Sequence, residues 1–260
     1  MKTNPSRSKR YLRLALIAII GCGVSTLLGF AVYRQNHAVC KRLEIQLEEA
    51  GEWKMFSQEN VAEWVREAGG ELLYHRLDSI PLENIRQRII AEDAVHSAEV
   101  YTTIDGRCVV KVKQRIPVMR VMEVSGNSYY IDSEGYPISL RNSYFRLPLY
   151  TGHIHGAEYN KSVLLNQGTV LTELCKLNEV ICNSEFWMNQ VEHVFVDQGG
   201  EIHLIPRVGN HRILLGREGE YAVQLSRVKL FYNHIVKHGD LNRYAAVDAR
   251  FEGQIVGIKN

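Results

Sequence analysis

AEVYTTIDGRCVVKVK, residues 98–113, decides the fold of the first half of this chain. Two runs rich in β-branched residues, Ala98–Ile104 and Arg107–Lys113, flank Asp105-Gly106. Asp-Gly between such runs is a strong hairpin signal, because a type I′ turn needs positive φ at both central residues. Upstream, Pro81 suits the first turn of a short helix whose Leu82, Ile85 and Ile89 make one buried stripe. Before it, Ser57 can cap a helix in which Val61, Trp64, Val65 and Ala68 recur at i, i+3, i+4 and i+7, and Gly69-Gly70 stops it. Earlier still, Val39, Lys41, Leu43, Ile45 and Leu47 alternate with Arg42, Glu44 and Gln46, a strand pattern. Strand, helix, helix, strand, strand predicts a compact α+β module over residues 38–116.

Further upstream, Leu14 to Tyr33 reads LALIAIIGCGVSTLLGFAVY, with no charge and no proline. Twenty helical residues span about 30 Å, the thickness of a bilayer's hydrocarbon core. The run is longer than the apolar region of a cleavable signal peptide, and Ala31-Val32-Tyr33 is a poor cleavage site. It predicts a transmembrane helix over 14–33. Residues 1–13 hold Lys2, Arg7, Lys9, Arg10 and Arg13 and no acid, so the positive-inside rule places this tail in the cytoplasm and the rest of the chain outside.

Downstream of about Pro117 the pattern turns mainly β. Ser128–Asp132 and Tyr136–Leu140 flank Ser133-Glu134-Gly135 as strand, turn, strand. A helix is expected over 169–182, with Val170, Leu174, Leu177 and Ile181 on one face. Strands follow at 191–196, 201–205 and 212–215. A longer helix covers 218–237, with Tyr221, Leu225, Val228, Tyr232 and Ile235 as its stripe. Strands 244–251 and 254–259 close the chain as a hairpin around Glu252-Gly253, and residues 117–260 read as one β domain.

Charge excludes one class of function. The chain carries 31 Lys and Arg against 29 Asp and Glu. With five of the cations in the tail, the remainder is slightly acidic, which gives no electrostatic case for nucleic acid. No nucleotide-binding loop and no Gly-x-Ser-x-Gly elbow appears, so neither a cofactor nor a small-molecule substrate is expected. Five cysteines, at 22, 40, 108, 175 and 182, form neither a disulfide framework nor a zinc pattern, although two of the outer ones could pair. His234 and His238 lie one helical turn apart, but no third ligand accompanies them, and His153-x-His155 reads as a loop, so no metal is expected. What remains is a membrane-tethered pair of β-containing units, an architecture suited to binding through sheet edges. The last strand, Gln254-Ile-Val-Gly-Ile-Lys259, is apolar and low in charge, and is the clearest candidate edge.

Several segments, in order and spacing, resemble the FtsQ/DivIB family of bitopic bacterial cell-division proteins. Asn84-Ile-Arg-Gln-Arg-Ile-Ile90, Val100–Gly106 and Val109–Val118 are similar to the second half of that family's POTRA domain. Ser128–Gly135, Leu147–Gly152, Ile213–Arg217 and Val247-Asp-Ala-Arg-Phe-Glu-Gly-Gln-Ile-Val256 resemble its β domain. Ala249 and Phe251 stand where the family usually has Leu and Tyr, so Phe251 keeps the ring without the hydroxyl. Glu92-Asp93-Ala94-Val95 lacks the family's proline–aromatic pair. The resemblance implies no catalysis. It implies membership of the divisome, partners like FtsB and FtsL, control of septal peptidoglycan synthesis, and a place in the inner membrane at the division septum. The FtsB-like partner is expected to add a strand at Arg250, Phe251, Gly253, Gln254, Ile255 and Val256. The competing reading is a membrane-anchored envelope hydrolase or transpeptidase. A deep cleft with convergent His, Cys or carboxylates would favour that reading, and a shallow sheet with an open edge the first.

Overall fold

The computed structural model describes residues 15–26, 38–48, 53–140, 145–238 (backbone only for 236–238) and 241–260. Residues 15–26 are helical (α1), and Leu16, Ile17, Ile19, Ile20 and Val24 on it are exposed. The rest of the expected span, Leu14 and 27–33, lies outside the described residues. Among the described residues no helix is long and apolar enough to cross a membrane.

By its contacts the chain divides into two units. One comprises Met1–Leu47, Gln58–Ile89 and Ala98–Val112; the other comprises Glu48–Ser57, Ile90–Ser97 and Lys113–Asn260. The first holds β1 (Arg42–Leu47), α2 (Gln58–Gly69), a 3-10 turn (Leu77–Ser79) and α3 (Leu82–Ile90), with β2 (Val95–Thr102) and β3 (Arg107–Gln114) completing its sheet. The sheet order is β1-β3-β2, and β1 runs parallel to β3 with Leu43 opposite Cys108. Val61, Trp64 and Val65 of α2, Ile85 and Ile89 of α3, and Cys108, Val110 and Val112 of the central strand are buried. Gly70, at φ 70°, ends α2 where the sequence placed its stop.

The hairpin forms, but its turn is not type I′. Only Gly106 has positive φ (92°), and its N–H donates to the Thr103 carbonyl. Thr103–Gly106 is therefore a turn whose left-handed residue is the glycine alone, the geometry of a three-residue loop with a glycine bulge. Thr103 Oγ1 donates to Asp105 Oδ1 at 2.5 Å and stabilises this alternative.

In the second unit nine strands form one mixed sheet in the order β12-β11-β10-β9-β8-β7-β4-β5-β6. The strands are β4 (Pro117–Glu123), β5 (Ser128–Asp132), β6 (Pro137–Ser139), β7 (Leu149–Gly152), β8 (Val191–Val196), β9 (Ile202–Pro206), β10 (Arg212–Gly216), β11 (Tyr244–Asp248) and β12 (Val256–Lys259). Helices α4 (Val170–Cys182), α5 (Glu185–Gln190) and α6 (Tyr221–His238) pack Leu171, Leu174, Leu177, Trp187, Leu225, Val228 and Tyr232 against Val121, Tyr150, Val194, Leu204, Ile213 and Val247. Thr169 caps α4, its Oγ1 accepting from Thr172 N. Two buried tyrosine hydroxyls are paired: Tyr150 donates to Asn178 Oδ1, and Tyr221 to Glu173 Oε2, both at 3.0 Å.

Three features depart from the expectation. β4 pairs with β7, β7 with β8 and β10 with β11 in parallel, where hairpins alone were read. The sequence pattern does not mark β4, β7 and α5 as separate elements. The closing strands are also shorter than expected, ending at Asp248 and beginning at Val256. The cause is local: the Asp248 carboxylate accepts the Arg250 N–H at 3.1 Å and turns the chain out of the ladder. All five cysteines are unpaired.

Candidate functional site

The two ends of the nine-stranded sheet differ. At β6, Pro137 removes one N–H, and Asp93 Oδ2 accepts from both the N–H (2.9 Å) and the hydroxyl of Ser139. A proline and a capped donor are the usual protections of a sheet edge. At β12 the outer edge has no such cover among the described residues.

The phase of that edge follows from one bond. Asn260 N–H donates to the Arg243 carbonyl at 3.1 Å, toward β11. Backbone donors alternate along a strand, so Ile258 and Val256 also point to β11, while Gly257 and Lys259 point away. The facing strand agrees: Ala249 N–H donates to the Leu214 carbonyl of β10, so the N–H groups of Ala246 and Asp248, opposite Ile258 and Val256, turn to β12. The available main-chain groups are thus those of Gly257 and Lys259, which sequence reasoning missed. It could name the strand but not its phase, which is fixed by pairing to residues 243–248 and by a bulge between Tyr244 and Ala246.

Side chains sort by face. A Cβ built on Gly257 would lie 2.5 Å from the Tyr244 ring and 3.4 Å from Phe231, so this position faces α6 and admits no side chain. Val256 and Ile258 point to the opposite face, 38% and 42% exposed.

Arg250 is engaged within the chain. Its Nε and one terminal nitrogen donate to the two Asp248 oxygens at 2.9 and 2.6 Å, and its other terminal nitrogen lies 3.3 Å from Glu201. These bonds hold the Asp248 carboxyl below the usual carboxylate range and raise the Arg250 pKa further. The guanidinium is a fixed positive group, still 43% exposed, at the mouth of the turn. Phe251 exposes its ring, and its carbonyl accepts from Arg227 Nη1 of α6 at 2.6 Å. Gly253 has φ 73° and completes the turn. Gln254 is exposed, and Ile255 is half-buried against the core.

Beside this turn lies an open groove of about 390 Å³, lined by Arg227, Leu230, Phe231 and His234 of α6 and by Gly253, Gln254 and Ile255. The structure therefore gathers the six expected contact residues around one turn and adds a helix face to them. A sequence signal for that face existed: Leu230, 68% exposed, falls outside the core stripe of α6. The groove is shallow and has no convergent carboxylates or cysteines. Among the described residues no three His, Cys, Asp or Glu side chains cluster as metal ligands.

This arrangement is a mixed sheet backed by helices, with β12 as its open last strand. A family model described as FtsQ/DivIB, C-terminal related, matches residues 116–258, and one described as a POTRA-like domain matches residues 38–113. The chain belongs to the FtsQ/DivIB family, a family of cell-division proteins. No curated protein matches the chain.

Proposed function

We propose that this chain is a bitopic scaffold of the divisome. Residues 1–13 are a cytoplasmic tail, 14–33 a transmembrane helix in the inner membrane, 38–116 a POTRA-like domain and 117–260 a periplasmic β domain. It acts without catalysis at the septum, binds FtsB-like and FtsL-like partners and helps coordinate septal peptidoglycan synthesis. The apolar, helical, exposed face of residues 15–26 supports the membrane reading. The observation that carries the docking reading is β12, the uncovered edge of a sheet whose opposite edge is capped.

In this reading the FtsB-like partner adds a strand along Gly257 and Lys259. Its flanking side chains meet Arg250, Phe251, Gly253, Gln254, Ile255 and Val256. Main-chain pairing supplies affinity, and the exposed Val256 and Ile258 with the α6 groove supply register. The test is the affinity of the full chain for the purified FtsB-like protein. Lys259→Pro removes an outward N–H at a position where an edge strand tolerates proline. Losing one such bond costs about 0.5–1.5 kcal/mol, so binding should weaken up to about tenfold with thermal stability unchanged. Wild-type affinity in a folded Lys259→Pro chain would remove β12 as the docking edge.

A further inference from the structure

Large apolar side chains are exposed on the first unit at one end. Tyr74 is 79% exposed, Leu73 39% and Ile104 92%. Leu73 and Tyr74 sit on the loop after α2, and Ile104 on the tip of the β2–β3 hairpin. The two loops are far apart in sequence, yet backbone hydrogen bonds tie both to residues 38–41. Tyr74 N–H donates to the Cys40 carbonyl at 2.7 Å, Cys40 N–H to the His75 carbonyl at 2.8 Å, and Leu77 N–H to the Ala38 carbonyl at 3.0 Å. On the other side Lys41 N–H donates to the Gly106 carbonyl at 2.7 Å. Tyr74 holds its place with φ 65°, a left-handed conformation that tyrosine seldom adopts.

Residues 38–41 follow soon after the apolar segment that ends at Tyr33. Five residues of chain reach at most about 18 Å, however they are arranged. If 14–33 spans the bilayer, as proposed above, this end of the unit lies within that distance of the lipid. Charge fits the same neighbour. The acids of the two loops, Glu71, Asp78 and Asp105, are ion-paired with Arg66, Arg76 and Arg107 at 3.9, 2.6 and 2.8 Å. Lys41 and Arg42 add exposed positive charge beside them. A tyrosine with aliphatic neighbours and a rim of cations has the composition of a membrane-interface surface, where the ring sits among headgroups and cations meet anionic lipid.

We infer that Leu73, Tyr74 and Ile104 form a second membrane contact, through which this end of the first unit seats on the phospholipid headgroup layer. This inference rests on the membrane span. The span alone sets only where the chain leaves the bilayer; three apolar side chains at the interface fix which end of the unit faces the lipid.

The test places single tryptophans in the full chain, reconstituted in vesicles of phosphatidylethanolamine and phosphatidylglycerol. Emission is compared with and without lipid brominated near the top of its acyl chains, after subtraction of the signal from Trp53, Trp64 and Trp187. Tyr74→Trp and Ile104→Trp, both at exposed positions that leave the core intact, should be quenched. Gln46→Trp, exposed toward the other end of β1, should not. Ile20→Trp on α1 reports the span itself. Quenching at 20 with none at 74 or 104 beyond that at 46 overturns this inference and leaves the span standing. No quenching at 20, 74 or 104 overturns both, and quenching at all three with none at 46 supports both.

Discussion

Arg250, proposed above as a docking residue, serves the fold first. Its guanidinium already bridges Asp248 and Glu201, so removing it disturbs the turn as well as any partner contact. Two other residues offer cleaner tests. A Cβ on Gly152 would lie 2.0 Å from the Val196 carbonyl oxygen, and φ there is 116°. Gly152→Ala therefore combines a disfavoured backbone with overpacking of the β7–β8 pair. Together these cost about 2–5 kcal/mol, read as a lower denaturant midpoint at unchanged slope. His211 concerns pH. It is buried, its Nε2 lies 2.6 Å from the Tyr232 hydroxyl, and its Nδ1 has no protein partner. Burial lowers its pKa, because the charged form is desolvated. The unfolded chain takes up the proton near pH 6.5 and the folded chain resists it. Stability is therefore intact above that pH and falls as pH drops below it, by up to about 1.4 kcal/mol per pH unit until the folded pKa is reached. In His211→Gln the slope of stability against pH between 7.5 and 5 should flatten relative to wild type. An unchanged slope would mean that His211 is not the group responsible.

At the scale of elements, the sequence made local pairings legible and hid distant ones. The β2–β3 and β5–β6 hairpins and the closing β11–β12 hairpin are flanked by their own turn residues, so alternation and glycine placement revealed them. The parallel pairs β4–β7 and β10–β11 join segments with helices or other strands between them, and no local signal encodes that choice. Helix α5, six residues long, is too short to show a period. The candidate site was legible in part for the same reason. Apolar, weakly charged 254–259 stood out, but the direction of each N–H depends on cross-strand register. That register yields a paired expectation. Val256→Pro removes an inward N–H and should open the β11–β12 hairpin, while Lys259→Pro should leave it closed. Hydrogen exchange of the Ala246 and Asp248 amides distinguishes them: faster in Val256→Pro, unchanged in Lys259→Pro. Equal acceleration in both would show that the phase assigned to β12 is wrong.

For the whole molecule, the proposed function makes partner access depend on orientation, and the sequence assigns that to charge. Lys2, Arg7, Lys9, Arg10 and Arg13 precede the apolar segment without one acid among them. After it, Arg34, Lys41 and Arg42 are soon diluted by Glu44, Glu48 and Glu49. Orientation follows the bias of Lys and Arg close to the span, so the tail should stay in the cytoplasm and both folded units should cross. A phosphatase that matures only outside the cytoplasm, fused after Asn260, should be active, and a cytoplasm-dependent fluorescent protein at the same place should be dark. Neutralising the five tail cations should reduce phosphatase activity and raise fluorescence, because the remaining cations lie on the C-terminal side. This second arm ties orientation to the tail rather than to the folded units. If the neutralised chain keeps the wild-type pattern, charge bias is not what orients it. If the wild-type chain itself gives a bright fluorescent fusion and an inactive phosphatase, the β12 edge lies in the cytoplasm and cannot meet a periplasmic partner.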